Sequence, residues 1–83
     1  MNTFNVDLGT AKNGETKPFS VDTNGQIKAA NASCGCTAVK FKGGILSGMV
    51  NCTGSAGSTH TKKVHGKYDN GEGFLIEIQF SIE

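Results

Sequence analysis

The chain has 83 residues, of which 36% are hydrophobic and 12 are glycine, and it has one proline and no tryptophan. A chain of this length can build one compact core, so we expect a single domain over residues 1–83. The net charge is +1, and all eight basic residues are lysines. Because arginine is the usual bidentate reader of phosphate and guanine, this composition disfavours nucleic-acid binding.

The sequence also argues against a membrane segment. No apolar run approaches the roughly 18 residues that cross a bilayer. The first residues lack the basic and apolar regions of a signal peptide, so we expect the protein to remain where it is made. Three cysteines cannot all pair within one chain, which fits a reducing compartment better than an oxidising one.

Alternation of apolar and polar residues predicts short strands along the whole chain. The clearest case is the C-terminal run, in which Phe74, Ile76, Ile78, Phe80 and Ile82 occupy every second position. A period of two places these five side chains on one face of a strand. By the same pattern the predicted strands cover residues 4–8, 15–21, 26–30, 37–41, 45–52, 59–68 and 74–82.

Turn signals separate these strands. Asn13-Gly14, Asn24-Gly25 and Asn70-Gly71 are typical of two-residue hairpin turns, because Asn-Gly readily adopts positive φ angles. Gly43-Gly44 breaks the chain between two further strands. Pro18 lacks an N–H group and therefore predicts an edge position for its strand.

No segment has a helical period of 3.6 residues. About seven short strands, spaced about ten residues apart and punctuated by turn residues, are typical of a β-sandwich. The sequence therefore predicts an all-β fold, an immunoglobulin-like antiparallel β-sandwich.

The order of these signals resembles a bacterial and phage family of unknown function. The shared features are a strand over residues 4–9 that ends in glycine, the Gly14-Glu15 turn, the Asn24-Gly25 turn and the signature Ser33-Cys34-Gly35-Cys36-Thr37. The family is related to the ASH (Hydin-type) immunoglobulin-like domains. The resemblance covers nearly the whole chain and implies an immunoglobulin-like sandwich with no catalytic activity to carry over. This chain looks like the small stand-alone versions that occur in tailed bacteriophages. Because it shows no signal peptide or transmembrane segment, we expect a cytoplasmic or virion-associated protein.

The cysteines allow three interpretations. Cys34 and Cys36 lie two residues apart, on the same side of an extended segment, and Cys52 ends a strand whose inward face also carries Val50. They could be small buried apolar residues, or Cys52 could form a disulfide with Cys34 or Cys36. Alternatively, Cys34, Cys36 and Cys52, with His60 as a fourth ligand, could bind a soft metal such as Cu(I) or Zn(II).

The remaining chemistry-bearing residues favour simpler roles. His60 and His65 are five residues apart on one strand, so they should lie on opposite faces and cannot share one ion. A Cys–His nucleophile would need an orienting third group, and the glycine-rich run 54–59 lacks the Gly-Lys-Ser/Thr end of a phosphate loop. We therefore expect no enzymatic activity and no cofactor.

Two functions from different classes remain. The first is a non-catalytic interaction or structural module with a protein partner, which binds neither nucleic acid nor membrane. The second is a soft-metal-binding or redox-sensitive module that uses the three cysteines. The first tolerates cysteine replacement apart from packing losses of about 1–3 kcal/mol, whereas the second loses its metal or its redox transition.

Overall fold

The computed structural model describes residues 2–33 and 37–83, in which seven strands and no helix are found. No helix in the described residues is long and apolar enough to cross a membrane. The strands are β1 (Asn2–Ala11), β2 (Glu15–Asp22), β3 (Ile27–Ala32), β4 (Thr37–Lys42), β5 (Ile45–Cys52), β6 (Thr59–Tyr68) and β7 (Gly73–Ile82).

The strands form two sheets that pack face to face. The four-stranded sheet has the order β1-β7-β6-β3, and the three-stranded sheet has the order β2-β5-β4. The inner faces supply one core, which includes Phe19, Leu46, Val64 and Ile78. The predicted all-β sandwich is therefore confirmed.

The strongest sequence pattern, that of β7, lies at the centre of the larger sheet. β7 pairs with β1 on one side and with β6 on the other. Its five alternating apolar residues are all buried, at 0–2% exposure. A strand with neighbours on both sides and the core beneath it is expected to have this regular alternation.

One pairing differs from the antiparallel arrangement that the sequence suggested, because β1 runs parallel to β7. A bulge interrupts their register between Asp7 and Thr10, where Gly9 has a φ of 73°. The Asp7 carboxylate accepts a hydrogen bond from the Gly9 N–H at 2.8 Å, and Lys17 Nζ donates to the Leu8 and Thr10 carbonyls at 3.0 Å. These contacts satisfy backbone groups that the bulge removes from the ladder.

The turn predictions are confirmed only in part. Asn70-Gly71 lies in the hairpin between β6 and β7, as expected. Asn13-Gly14 and Asn24-Gly25 instead join strands of different sheets, and Gly43-Gly44 forms the two-residue hairpin between β4 and β5. Asn-Gly readily adopts the positive φ that several types of tight turn need, so it does not by itself specify which strands pair.

Three aromatic rings cover glycines. The Phe74 ring lies over Gly66 on β6, the Phe19 ring lies over Gly48 on β5, and the Tyr68 ring lies over Gly25. A Cβ at Gly25 would meet the Tyr68 ring at 2.8 Å, and Cβ atoms at the other two positions would come still closer to an aromatic ring or the backbone. Glycine is therefore required at these places for close packing.

Candidate functional site

Two of the residues nominated by the sequence, Cys52 and His60, lie on the inner faces of facing sheets. Cys52 ends β5 of the three-stranded sheet, and His60 lies near the start of β6 in the four-stranded sheet. A Cβ at Gly54, two residues after Cys52, would collide with His60 Nε2. The His60 ring therefore packs directly against the backbone that follows Cys52.

Cys52 is a free thiol with no exposed surface. Its Sγ donates a weak hydrogen bond to the Val50 carbonyl at 3.7 Å. Burial raises the pKa of the Cys52 thiol, an effect that the charge of Lys17 only partly opposes. The neutral thiol is therefore favoured, which suits a packed apolar residue better than a nucleophile.

His60 has its own polar partner. Ser58 Oγ donates to the Ser55 carbonyl at 2.6 Å and lies 2.7 Å from His60 Nε2. Because the single hydroxyl hydrogen of Ser58 is used on Ser55, His60 Nε2 must carry a hydrogen and donate it to Ser58. The ring also stacks on Phe80 at 5.3 Å between centroids. A metal at Nε2 would have to break the Ser58 hydrogen bond.

Cys34 and Cys36 lie outside the described residues, so the metal interpretation remains a prediction, whereas Cys52 is a free thiol in the structure and forms no disulfide. Among residues 2–33 and 37–83, no group of three His, Cys, Asp or Glu side chains is arranged to hold a metal ion. His65 is exposed on the outer face of β6, whereas His60 is half-buried on its inner face. The sequence argument that one ion cannot bridge the two histidines agrees with this placement.

A second feature was not found by sequence reasoning, namely apolar residues on the outer face of the three-stranded sheet. Ile45 and Met49 of β5 are 47% and 44% exposed, although Leu46 and Val50 of the same strand are fully buried. Cross-strand register places Met49 between Pro18 on β2 and Ala38 on β4. We call Pro18, Ala38, Ile45 and Met49 the apolar patch.

Lysines flank the apolar patch on one side. Lys40 of β4 is the register partner of Ser47, and Lys42 is the partner of Ile45. With Phe41, which is 40% exposed, these four residues line a shallow depression of about 390 Å³. The patch is therefore next to positive charge along β4. The sequence signal for this patch is two pairs of adjacent apolar residues, Ile45-Leu46 and Met49-Val50. Each pair places an apolar side chain on both faces of the strand, whereas a strand with one solvent-exposed face needs it on only one.

A larger, polar groove of about 680 Å³ lies elsewhere, where the β2–β3 and β6–β7 connections meet the start of β1. Amide and carboxylate side chains line it, including Asn24, Gln26, Asp69 and Glu72. Mainly backbone groups connect the two turns here: the Asp69 N–H donates to the Gln26 main-chain carbonyl, and the Glu72 N–H donates to the Asn70 side chain. The groove therefore lies between two turns that hydrogen bonds hold together.

The comparisons with known proteins bear on the fold. No protein-family model and no curated protein matches the chain. Among solved structures, the chain is similar to part of a 2,6-sialyltransferase of Vibrionaceae Photobacterium sp. JT-ISH-224, crystallised with CMP and lactose. The TM-score is 0.61 at 11% identity, over 99% of this chain and 18% of that chain. At this identity the likeness shows a shared fold, and the chain spans less than a fifth of that enzyme's length.

Proposed function

We propose that the protein is a non-catalytic immunoglobulin-like interaction module that binds a protein partner through the apolar patch. The resemblance described above agrees with a small phage- or bacterium-encoded accessory protein. Because an immunoglobulin-like sandwich serves many unrelated functions, the surface of this chain, and not its fold, supports the proposal.

The observation that carries the proposal is the exposure of Met49 beside Pro18 and Ala38, with Ile45 exposed further along the same face of β5. The sandwich already buries Leu46 and Val50 from the same strand, so folding does not need these outer side chains to be apolar. A partner that covered Ile45 and Met49 would stabilise the complex by roughly 1 kcal/mol for each, since each is about half exposed. Methionine is also common at binding surfaces because its side chain adapts to different partners.

Site-specific photo-crosslinking in the native host tests this proposal. A photoreactive amino acid replaces Met49 in one variant and Gln79, on the outer face of the other sheet, in a matched control. We expect a discrete protein adduct from position 49 and none from position 79. Equal labelling from both positions, or no adduct from position 49, would contradict an interface on the three-stranded sheet.

The alternative function is a soft-metal or redox module that uses Cys34, Cys36, Cys52 and His60. What favours it is the packing of the His60 ring against the backbone two residues after Cys52, which brings two candidate ligands to one region. Native mass spectrometry before and after reduction distinguishes the two functions. Bound copper or zinc, or a mass two hydrogens short, would support the alternative, and an apo mass with three free thiols would exclude it.

A further inference from the structure

We propose that the edge of β4 at Val39 and Phe41 accepts an extended segment of the partner, with alternating acidic and apolar side chains, as an added strand. This inference rests on the proposed function, since it describes how the partner reaches the apolar patch. Strand addition obtains affinity from main-chain hydrogen bonds and specificity from alternate side chains. The β4 edge offers both.

The backbone of β4 has hydrogen-bonding groups that point away from β5. The Ala38 carbonyl lies over Gly48 of β5, so it faces the paired side of the strand. Across a trans peptide the next N–H points the opposite way, which places the Val39 N–H at the free edge. The two-residue turn at Gly43-Gly44 leads to the same alternation, because the residues that flank such a turn are hydrogen-bonded to each other. The backbone N–H and C=O groups of Phe41 therefore also point away from β5.

The other three sheet edges are interrupted. β2 carries Pro18 opposite Met49, at a position where the alternation points the missing N–H outward. β1 has a bulge between Asp7 and Thr10, and β3 has a register shift between Ile27 and Ala29. The register of β4 with β5 is continuous from Thr37 to Lys42. Prolines and bulges are the usual means of blocking edge pairing, and β4 has neither.

Charge decides which strand β4 can accept. Lys40 and Lys42 lie on its outer face, and the β4–β5 hairpin, residues 37–52, contains no Asp or Glu. Lysines on an edge disfavour a neutral strand, because pairing would remove water from their ammonium groups, and they repel a basic strand. Acidic side chains directly opposite would instead pair with them. Because strand side chains alternate, acidic residues facing Lys40 and Lys42 fall at every second position of the partner.

The other face of the added strand would be apolar. Val39 and Phe41 point toward the inner side of β4, where Val39 is half-buried against the core and Phe41 is 40% exposed at the open flank. Apolar partner residues between the acidic ones would cover the Phe41 ring. A partner strand that fits β4 would therefore have acidic side chains on one face and apolar side chains on the other.

A second copy of the chain does not meet these requirements. Antiparallel pairing of two β4 strands would bring Lys40 and Lys42 of one copy close to those of the other, which is unfavourable. Pairing of β4 with the β2 edge of another copy would meet Pro18. The occupant that fits is a different protein segment.

Amide hydrogen exchange by NMR tests the inference with a defined probe, a peptide of about ten residues that alternates glutamate and valine. We expect it to slow exchange at Val39 and Phe41 by about tenfold, and to leave Asn5 on the β1 edge unchanged. A peptide that alternates lysine and valine is the matched control and should not slow exchange. Replacing both Lys40→Glu and Lys42→Glu should reverse the preference, whereas Lys28→Glu with Lys67→Glu should not.

Several results would overturn the inference. They are protection at an edge other than β4, equal binding of both peptides, and concentration-dependent protection of Val39 without any peptide, which would indicate a second copy. Absence of peptide binding while the Met49 crosslink persists would refute the added acidic strand and leave the interaction module standing. Loss of both would refute the interaction module as well.

Discussion

The two outer faces of the sandwich differ in composition although their inner faces share one core. On the four-stranded sheet, rows across the strands are polar, such as Asn5–Glu77–Lys63, and the Thr59 and Ser81 hydroxyls lie 3.2 Å apart. On the three-stranded sheet, the row Pro18–Met49–Ala38 is apolar. The next row of the three-stranded sheet, Ser20–Ser47–Lys40, is polar, so its outer face differs from that of the other sheet by an apolar row within a polar surface.

This difference separates residues needed for folding from residues available for binding. A sandwich is stable when its inner faces are apolar, so the outer residues of the four-stranded sheet illustrate what folding alone requires. The apolar patch exceeds that requirement. Substitutions on the inner faces should therefore change the free energy of unfolding, and substitutions on the patch should change binding.

The largest expected effect is on the inner face of β7. Ile78 is fully buried, so Ile78→Ala should lower the free energy of unfolding by about 2–5 kcal/mol through lost contacts and a cavity. Its neighbour Gln79 is exposed on the outer face, and Gln79→Ala should change stability by less than about 0.5 kcal/mol. Urea denaturation of both variants measures the contrast. Similar losses would break the distinction between the faces.

The covered glycine on β6 should give the next largest effect. Gly66→Ala places a Cβ inside the Phe74 ring and should cost about 1–3 kcal/mol from overpacking. Adding Phe74→Leu removes the colliding ring atoms, so the double variant should be more stable than the two single losses predict when added. A double-mutant cycle by urea denaturation measures this coupling. Additive losses would contradict the packing argument.

A hydrogen bond within the core should contribute less. The Tyr68 hydroxyl donates to the Thr23 carbonyl at 2.9 Å, and both residues are buried. Tyr68→Phe keeps the ring over Gly25 but removes this donor, so we expect a loss of about 0.5–1.5 kcal/mol. Thermal denaturation of wild type and Tyr68→Phe measures this loss of stability. An unchanged or raised midpoint would show that the hydroxyl does not stabilise the fold.

Cys52 should affect stability only at alkaline pH. Burial raises its pKa in the folded state above the ordinary value of 9.0, so the folded protein holds the thiol proton more tightly than the unfolded chain. Stability from this group is complete below pH 9.0 and is lost as pH rises through the higher folded pKa. We expect wild type to lose more stability than Cys52→Ala above that pH. If the stability of wild type and of Cys52→Ala fell equally with pH, Cys52 would not be the group responsible.

The smallest effect on folding should come from the apolar patch. Ile45→Thr keeps a β-branched side chain at a position that is 47% exposed, so the free energy of unfolding should change by less than about 0.5 kcal/mol. Crosslinking from position 49 should nevertheless weaken in this variant. A large loss of stability would instead mean that Ile45 belongs to the core.

Much of the fold could be predicted from local pattern, but the pairing of strands could not. The bounds of β5 and β6 coincide with the predicted runs 45–52 and 59–68, since alternation and turn residues are local signals. The parallel pairing of β1 with β7 joins residues more than 70 positions apart, which no local signal encodes. Likewise, the sequence predicts a hairpin turn at Asn24-Gly25, because it does not show that β2 and β3 belong to different sheets.

The candidate sites were predicted less completely. The inward face of Cys52 and the opposite faces of His60 and His65 were predicted correctly, because their strands have clear alternation. The Ser58 partner of His60 depends on the conformation of the loop before β6, which the sequence pattern does not specify. The apolar patch emerged only from register, because its members come from three strands that are separated along the chain.

The parallel pairing of β1 with β7 also has a mechanical consequence. A tensile force that pulls on the N-terminal end of β1 and the C-terminal end of β7 slides the two strands past each other along their length. Every backbone hydrogen bond between them then bears load together, from the Asn2–Phe74 pair to the Ala11–Ile82 pair, and none is peeled away first. Along this axis the domain should resist extension as a shear clamp.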